Sequence, residues 1–247
     1  MNLARFVNRL AIPKTWRIPA DQAPAVASLL RTMTSFFIEL VTDTDEARRA
    51  FENNPRVLKI VAEGLSVERY RVLLAELYHV VWHFNPICAA AASRTSDVHR
   101  EVRYFLYDHM MEEKGHEEWV VTDLEVVGVS REKALTCRPS RPLLGLIGYN
   151  YWSADRRHPC SVLGMVYALE VIASVYGGPI AAAITESLLL DGNRGISFIS
   201  SHVEMDAEHM AELRLILNKI EDRDAKDAII ESTVVNFEFF TRILEAV

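Results

Sequence analysis

Cysteine is scarce in this chain. The 247 residues contain three, Cys88, Cys137 and Cys160; they are odd in number, far apart and free of any CxxC spacing, so neither a disulfide framework nor a thiolate zinc site is suggested. That usage fits a reducing, cytoplasmic compartment. Dense basic runs are missing too. Lys and Arg number 27 against 34 Asp and Glu, a formal net charge of −7. No segment concentrates the positive charge that would neutralise a phosphate backbone, so nucleic acid is not an expected partner. No stretch alternates apolar and polar residues for long between turn signals, as a half-buried strand requires. Nor is there a low-complexity tract, a solenoid period or an export signal: the opening MNLARFVNRLAIPKTW is interrupted by Arg5, Asn8 and Arg9 before any apolar run builds.

What remains is helical. The composition, 50% hydrophobic and 25% charged, supports one sizeable core, and the length is compatible with a single all-α domain over residues 1–247, residues 1–20 forming an N-terminal extension. Val26, Leu29, Leu30, Met33, Phe36, Phe37 and Leu40 are spaced for one face of a helix running from Asp21 and Pro24 to about Val41. Pro55 to Glu63 reads as a short helix closed by Gly64. Ser66 caps a longer one, which Pro86 should kink or restart. A fourth helix runs from Asp97 to Gly128, followed by a short turn after Ser130 and a loop holding Pro139 and Pro142. An aromatic stretch, Tyr149 to Trp152, and a basic loop, Arg156 to Pro159, come next, and helices then dominate to the end, about eight or nine in all. Ser161 to Ile184 is the most hydrophobic segment, yet it carries Glu170 and is interrupted by Gly177-Gly178-Pro179. A core helix with a functional carboxylate accounts for it better than a membrane span, which would have to bury that charge in lipid.

One pattern occurs twice: His109-x3-Glu113-x2-His116 and His202-x3-Asp206-x2-His209. At 3.6 residues per turn, positions i, i+4 and i+7 stack on one helical face, so each helix offers two imidazoles and a carboxylate. A single acid-x-x-His pair is weak, because Glu and His often meet on solvated faces. Two triads with Glu170 between them in an apolar helix are stronger, since an unpaired buried carboxylate needs a cation. Carboxylates with acid-x-x-His pairs from different helices suit iron or manganese; calcium disfavours imidazole and structural zinc prefers thiolates. Glu76, His79 and His83 form a third polar face that reads as ligands of a ferritin-like bundle or as pocket wall. Tyr78, His79, Trp82, His83, Tyr149, Trp152 and Tyr167 are the candidate substrate-pocket residues.

The run Glu113-Lys114-Gly115-His116-Glu117-Glu118-Trp119, then Asp123 to Gly128, then Glu170, then His202-x3-Asp206-x2-His209 resembles the haem-oxygenase-like di-iron oxidases and oxygenases, over roughly residues 20–245. The resemblance implies a haem-oxygenase-like helical bundle without haem, two irons per chain (manganese being the alternative ion) and dioxygen as co-substrate. It further implies Glu113, His116, Glu170, His202, Asp206 and His209 as the ligand and catalytic set. Glu112 rivals Glu113, and His109 is placed beside the metals or as a supplementary ligand. The implied function is oxidation of a small organic substrate, an amino acid, amine or fatty acid, by C–C cleavage, desaturation or N-oxygenation, as in biosynthetic enzymes. A homodimer and an external electron donor are compatible with it, and no membrane partner is expected. The alternative is a thiaminase II-like or cofactor-biosynthesis enzyme that uses the acid and histidine cluster for metal-free proton transfer.

Overall fold

Short polar side chains start several of the helices. Asn54 accepts the Arg56 N–H, Ser66 that of Arg69, Ser140 that of Leu143 and Asp222 that of Ala225, each satisfying a donor that the first helical turn leaves unpaired. The computed structural model describes residues 35–247, the side chains of 203–208 excepted. The N-terminal extension and the first part of the helix expected from Asp21, with Val26 to Met33, lie outside the described residues.

In chain order the α-helices are α1 (Phe36–Asp43), α2 (Asp45–Glu52), α3 (Pro55–Glu63), α4 (Val67–Arg94), α5 (Arg100–Glu112) and α6 (His116–Val126). They continue with α7 (Arg131–Thr136), α8 (Arg141–Trp152), α9 (Val162–Val171), α10 (Gly178–Leu188), α11 (Ser197–Leu217) and α12 (Arg223–Ala246). No strand occurs among the described residues. The fold is an all-α bundle in which α4 packs on α5, α6 and α8, and α12 packs on α8 and α9. One apolar cluster extends from Phe36 to Val247, with a small satellite of Leu143, Leu146, Ile147 and Ile243 beneath α8.

Three expectations need correction. Pro86 does not restart its helix: α4 runs through it without interruption to Arg94. The lost N–H would have bonded the Trp82 carbonyl, and Trp82 is half exposed, where water can replace it. The stretch holding Pro142 and the aromatics Tyr149 to Trp152 is a helix, α8, because Pro142 falls in its first turn, where a missing N–H is harmless. Gly177-Gly178-Pro179 does not break the hydrophobic helix either. The chain stays helical from Pro159 to Leu188, passing Gly177 in a π-helical turn, Ile172–Gly177. Although long and apolar enough to cross a membrane, 83% of its most apolar window is buried inside the bundle, so it is a core helix.

Gly164 sets how closely that helix approaches α12. A Cβ there would stand 2.3 Å from the Ile229 carbonyl oxygen and 2.8 Å from Ser232 Cβ. Gly164→Ala should therefore destabilise by ~1–3 kcal/mol and lower Tm by roughly 2–4 °C per kcal/mol for a chain this size. A circular-dichroism melt indistinguishable from wild type would show that the contact is looser than the distances indicate.

Candidate metal centre

The expected helix from Asp97 to Gly128 is broken, and the break builds the site. Glu113, Lys114 and Gly115 form a turn between α5 and α6, with Gly115 at φ +94°, a left-handed conformation that disfavours any residue with a Cβ. The first triad therefore does not lie on one straight helix face. The turn lets Glu113 fold against the start of α6, where its Oε2 stands 2.8 Å from His116 Nδ1. The second triad does lie on one helix, α11, where His202 and His209 are described and the Asp206 side chain lies outside the described residues.

Four elements converge. Glu113 Oε2 is 3.7 Å from His202 Nε2, and Glu113 Oε1 is 3.9 Å from His209 Nδ1. Glu170 Oε1, from α9, is 3.2 Å from His209 Nδ1 and 3.8 Å from His109 Nε2. Two donor sets result: His109, Glu113, Glu170 and His209, and Glu113, His116 and His202. Within each, one donor atom per residue lies within 4.8 Å of all the others. Glu113 belongs to both. Glu112, 43% exposed, approaches His109 Nδ1 at 3.5 Å and His209 Nε2 at 3.6 Å from the solvent side. Glu113, rather than Glu112, is the carboxylate that geometry places between the two sets.

Ring contacts fix the imidazoles. His116 stacks on Trp119 at 4.0 Å between centroids, and His109 is held between Phe84 and Phe105. His202 donates from Nδ1 to the Phe198 carbonyl at 2.8 Å, which aims Nε2 at Glu113. That is how a protein commonly orients a metal-binding histidine. The Phe198-x3-His202 spacing carries this contact in the sequence, a signal that a search for acid–histidine pairs alone passes over.

Buried polar atoms without partners mark the same place: His109 Nδ1 and Nε2 and Glu170 Oε2 make no hydrogen bond within the chain. Unsatisfied groups at this depth are unfavourable, and a cation would satisfy them together. The protein alone answers with protons. Hydrogen bonding to Glu170 pushes His209 up to about 9 against the opposing effect of burial. Burial works to raise the Glu113 carboxyl, but hydrogen bonds from His116 and His202 outweigh it and hold the group well below the usual carboxylate range. The donor set, carboxylates and imidazoles without thiolate, fits iron or manganese.

Beside the site lies a cavity of about 130 Å³, walled by α4, α9, α11 and α12 and bounded by Glu113, Glu170 and His202. None of Tyr78, His79, Trp82, His83, Tyr149, Trp152 and Tyr167 lines it. The reason is the face of α4: Leu73, Leu77, Val80, Val81 and Phe84 point into the cavity, and the predicted residues occupy the other stripe or other places. His79 donates from Nε2 to the Cys137 carbonyl at 3.0 Å, and His83 meets the Tyr151 hydroxyl at 3.3 Å. Glu76 accepts from the Ser140 N–H and hydroxyl, tying α4 to the start of α8, so the third polar face is a structural tie and not a ligand set. Tyr167 is core against Phe37, Tyr149 is half-buried beside α12, and Trp152 borders a shallow surface groove with Arg94 and Arg156.

This arrangement belongs to the haem-oxygenase-like helical fold. A domain of unknown function from Shewanella denitrificans, described as having a heme oxygenase-like fold, superposes with a TM-score of 0.74 at 24% identity over 84% of this chain and 88% of that one. A TenA homolog from Pseudomonas syringae superposes at 0.70, with 16% identity over 85% and 91%. Heme oxygenase-1 from the cyanobacterium Synechocystis, solved with heme, superposes at 0.69, with 14% identity over 86% and 92%. No curated protein matches by sequence. The family model of iron-containing redox enzymes with the haem-oxygenase-like fold matches residues 71–235, and the chain belongs to that family.

Asp123 on α6 holds the start of α11 in place, accepting from the Ser197 N–H at 3.0 Å, its hydroxyl at 2.8 Å and the Phe198 N–H at 2.9 Å. Asp123→Ala leaves these donors without a partner and should destabilise by ~1–3 kcal/mol. Urea titration followed by circular dichroism measures it, and an unchanged midpoint would remove Asp123 from the support of the site.

Proposed function

We propose that the chain is a non-haem di-iron oxidase or oxygenase that activates dioxygen to oxidise a small organic substrate. The observation that carries this reading is the single carboxylate, Glu113, common to two adjacent donor sets. One set, His116 and His202 with Glu113, would hold one ion. The other, His109, Glu170 and His209 with Glu113, would hold the second, and Asp206 is assigned to the centre by its place in the second triad. Haem iron takes only one or two ligands from protein; six convergent residues suit bare ions. When bound, a pair of ferrous ions supplies electrons and open positions for dioxygen. Manganese in place of iron, an external electron donor, a small-molecule substrate and a cytoplasmic setting belong to the same proposal.

The chain's own residues do the rest. His202 is oriented by the Phe198 carbonyl, and His209, protonated through its hydrogen bond to Glu170, would give up that proton on holding an ion. The cavity keeps water from the reacting face with Leu73, Leu77, Ile172, Ile180 and Leu244. No lysine or arginine lines it among the described residues, and Arg157 is engaged by Asp224 and Glu231. A substrate with an apolar body and a polar head directed at the metals fits this wall best, which among the expected classes favours a fatty acid over an amino acid.

Anaerobic ferrous titration should give about two irons per chain and, on mixing with dioxygen, a transient visible absorption. Glu113→Ala should reduce iron to less than one per chain and abolish the transient, because it removes a donor from both sets. No tight iron and no oxygen reactivity in wild type would overturn the proposal and favour metal-free acid–base chemistry. Ala173 lines the cavity and offers no donor atom to either set. Ala173→Phe should keep the iron content while lowering kcat/KM for longer fatty acids by roughly tenfold or more relative to shorter ones, and equal losses for all lengths would place the substrate elsewhere.

A further inference from the structure

The three cysteines carry no metal-binding spacing, yet the fold brings one of them to two histidines that the centre above does not use. His99, His158 and Cys160 each offer a donor, and these three atoms lie within 4.8 Å of one another. They come from separate stretches: His99 ends the short 3₁₀ turn before α5, and His158 and Cys160 flank Pro159 in the turn before α9. The rings meet edge to face, 5.5 Å between centroids. Asp222, at the start of α12, turns Oδ2 to both, 3.8 Å from His99 Nε2 and 3.7 Å from His158 Nε2. Cys160 is fully buried, and His99 and His158 retain side-chain exposures of 10% and 16%.

We propose that His99, His158 and Cys160 form a second metal site, for zinc or a similar borderline-soft divalent ion, with Asp222 orienting the imidazoles. Two imidazoles and a thiolate are the donors that select such an ion over the hard iron-type set of the main centre. Tetrahedral zinc bonds of roughly 2.0–2.3 Å place donors roughly 3.3–3.7 Å apart. A spread of up to 4.8 Å therefore requires a contraction of about an ångström, within reach of side-chain rotation. With Nε2 turned toward Asp222, 3.7–3.8 Å away, a neutral imidazole would keep Nδ1 as its lone-pair donor, the carboxylate–histidine–metal arrangement once the two close to hydrogen-bond distance. On His158 that lone pair now receives the Cys160 N–H at 3.1 Å, a contact that the ion replaces. Cys160 binds as thiolate and releases a proton; burial pushes the free thiol up to about 12, so the ion must displace that proton. Asp222 is 44% exposed, so water reaches the carboxylate beside the two rings.

The place of this site in the fold gives it a task. His99 lies ten residues before His109, and Cys160 ten residues before Glu170, so helical rise puts it about 15 Å from the main centre along both helices. An ion there ties the starts of α5 and α9, the helices that deliver His109 and Glu170, to the start of α12. The site is structural, a staple behind the redox centre.

Cobalt(II) added to chelator-stripped full-length protein tests this, because a thiolate-to-cobalt charge-transfer band in the near ultraviolet requires sulfur, which the main centre lacks. The band should saturate at the intensity of one thiolate-bound cobalt per chain, whatever further cobalt the main centre takes, persist in Glu113→Ala, and be lost in Cys160→Ser and in His158→Gln. Should Cys160→Ser fail to fold, His158→Gln, at a partly exposed ring, gives the same readout. Zinc should raise Tm in wild type and not in His158→Gln. Absence of the band in folded wild-type protein, or its survival in Cys160→Ser, which would trace the sulfur to Cys137 or Cys88, would overturn the proposal. Neither outcome depends on iron loading, so failure here is distinct from failure of the di-iron reading.

Discussion

The site depends on one constraint, the burial of the Glu113 carboxylate between two groups of imidazoles. A charge at this depth is unfavourable unless it is paired, and everything around Glu113 serves that pairing. Gly115 permits the turn that brings Glu113 back on His116. Asp123 fixes the start of α11 so that His202 faces the same oxygen, and Glu170 shares His209 with it. Unpaired atoms on His109 and Glu170 show that the chain alone does not complete the network. Its hydrogen-bonding capacity is left over for a ligand that accepts lone pairs from several directions.

The hydrophobic helix has a related role. An uninterrupted α-helix from Pro159 to Leu188 would carry Glu170 on a rigid rod, and the π turn at Ile172–Gly177 follows directly after it. π turns insert a residue without ending the helix and recur at functional sites. Here the turn contributes Ile172, Ala173 and Gly177 to the cavity wall beside Glu170. The same local distortion shapes the wall and keeps the segment continuous through Pro179.

Much of this was legible in residue order, and the failures have physical causes. The all-α class follows from periodicity alone. Five residues of the two His-x3-acid-x2-His runs, His109, Glu113, His116, His202 and His209, converge with the lone acid of the apolar helix, Glu170, because a carboxylate surrounded by apolar side chains demands a partner and the imidazoles supply one; the Asp206 side chain lies outside the described residues. The break inside the first run was harder to see: Gly115 looks tolerable in a helix, and only tertiary pairing of Glu113 with His116 selects the turn. Pro86 and Pro179 misled for the opposite reason, since a proline whose missing N–H is replaced by water or a π turn leaves a helix running. The cavity wall was misplaced by attention to the aromatic and histidine cluster of α4, where Tyr78, His79, Trp82 and His83 lie off the stripe of Leu73, Leu77, Val80, Val81 and Phe84 that faces the site. His99, His158 and Cys160 escaped notice because their proximity arises from the packing of α5, α9 and α12 and not from any local spacing.

The two sides of the centre differ in a way that constrains its chemistry. On one side Glu112, partly exposed, reaches His109 and His209 and gives the site a polar route to solvent. On the other, Glu113, Glu170 and His202 border an apolar cavity. Protons and electrons are best delivered where water and charge are tolerated, and an organic substrate is best held where they are not. Under the proposed function, separating these routes would let the centre be supplied from one face while its substrate is held on the other. His202, fixed by the Phe198 carbonyl, borders the cavity, whereas His209, which Glu170 keeps protonated, meets Glu112. The seven-residue interval keeps both rings on one face of α11, so that His202 reaches Glu113 at one level along the helix and His209 reaches Glu170 and Glu112 two turns further on.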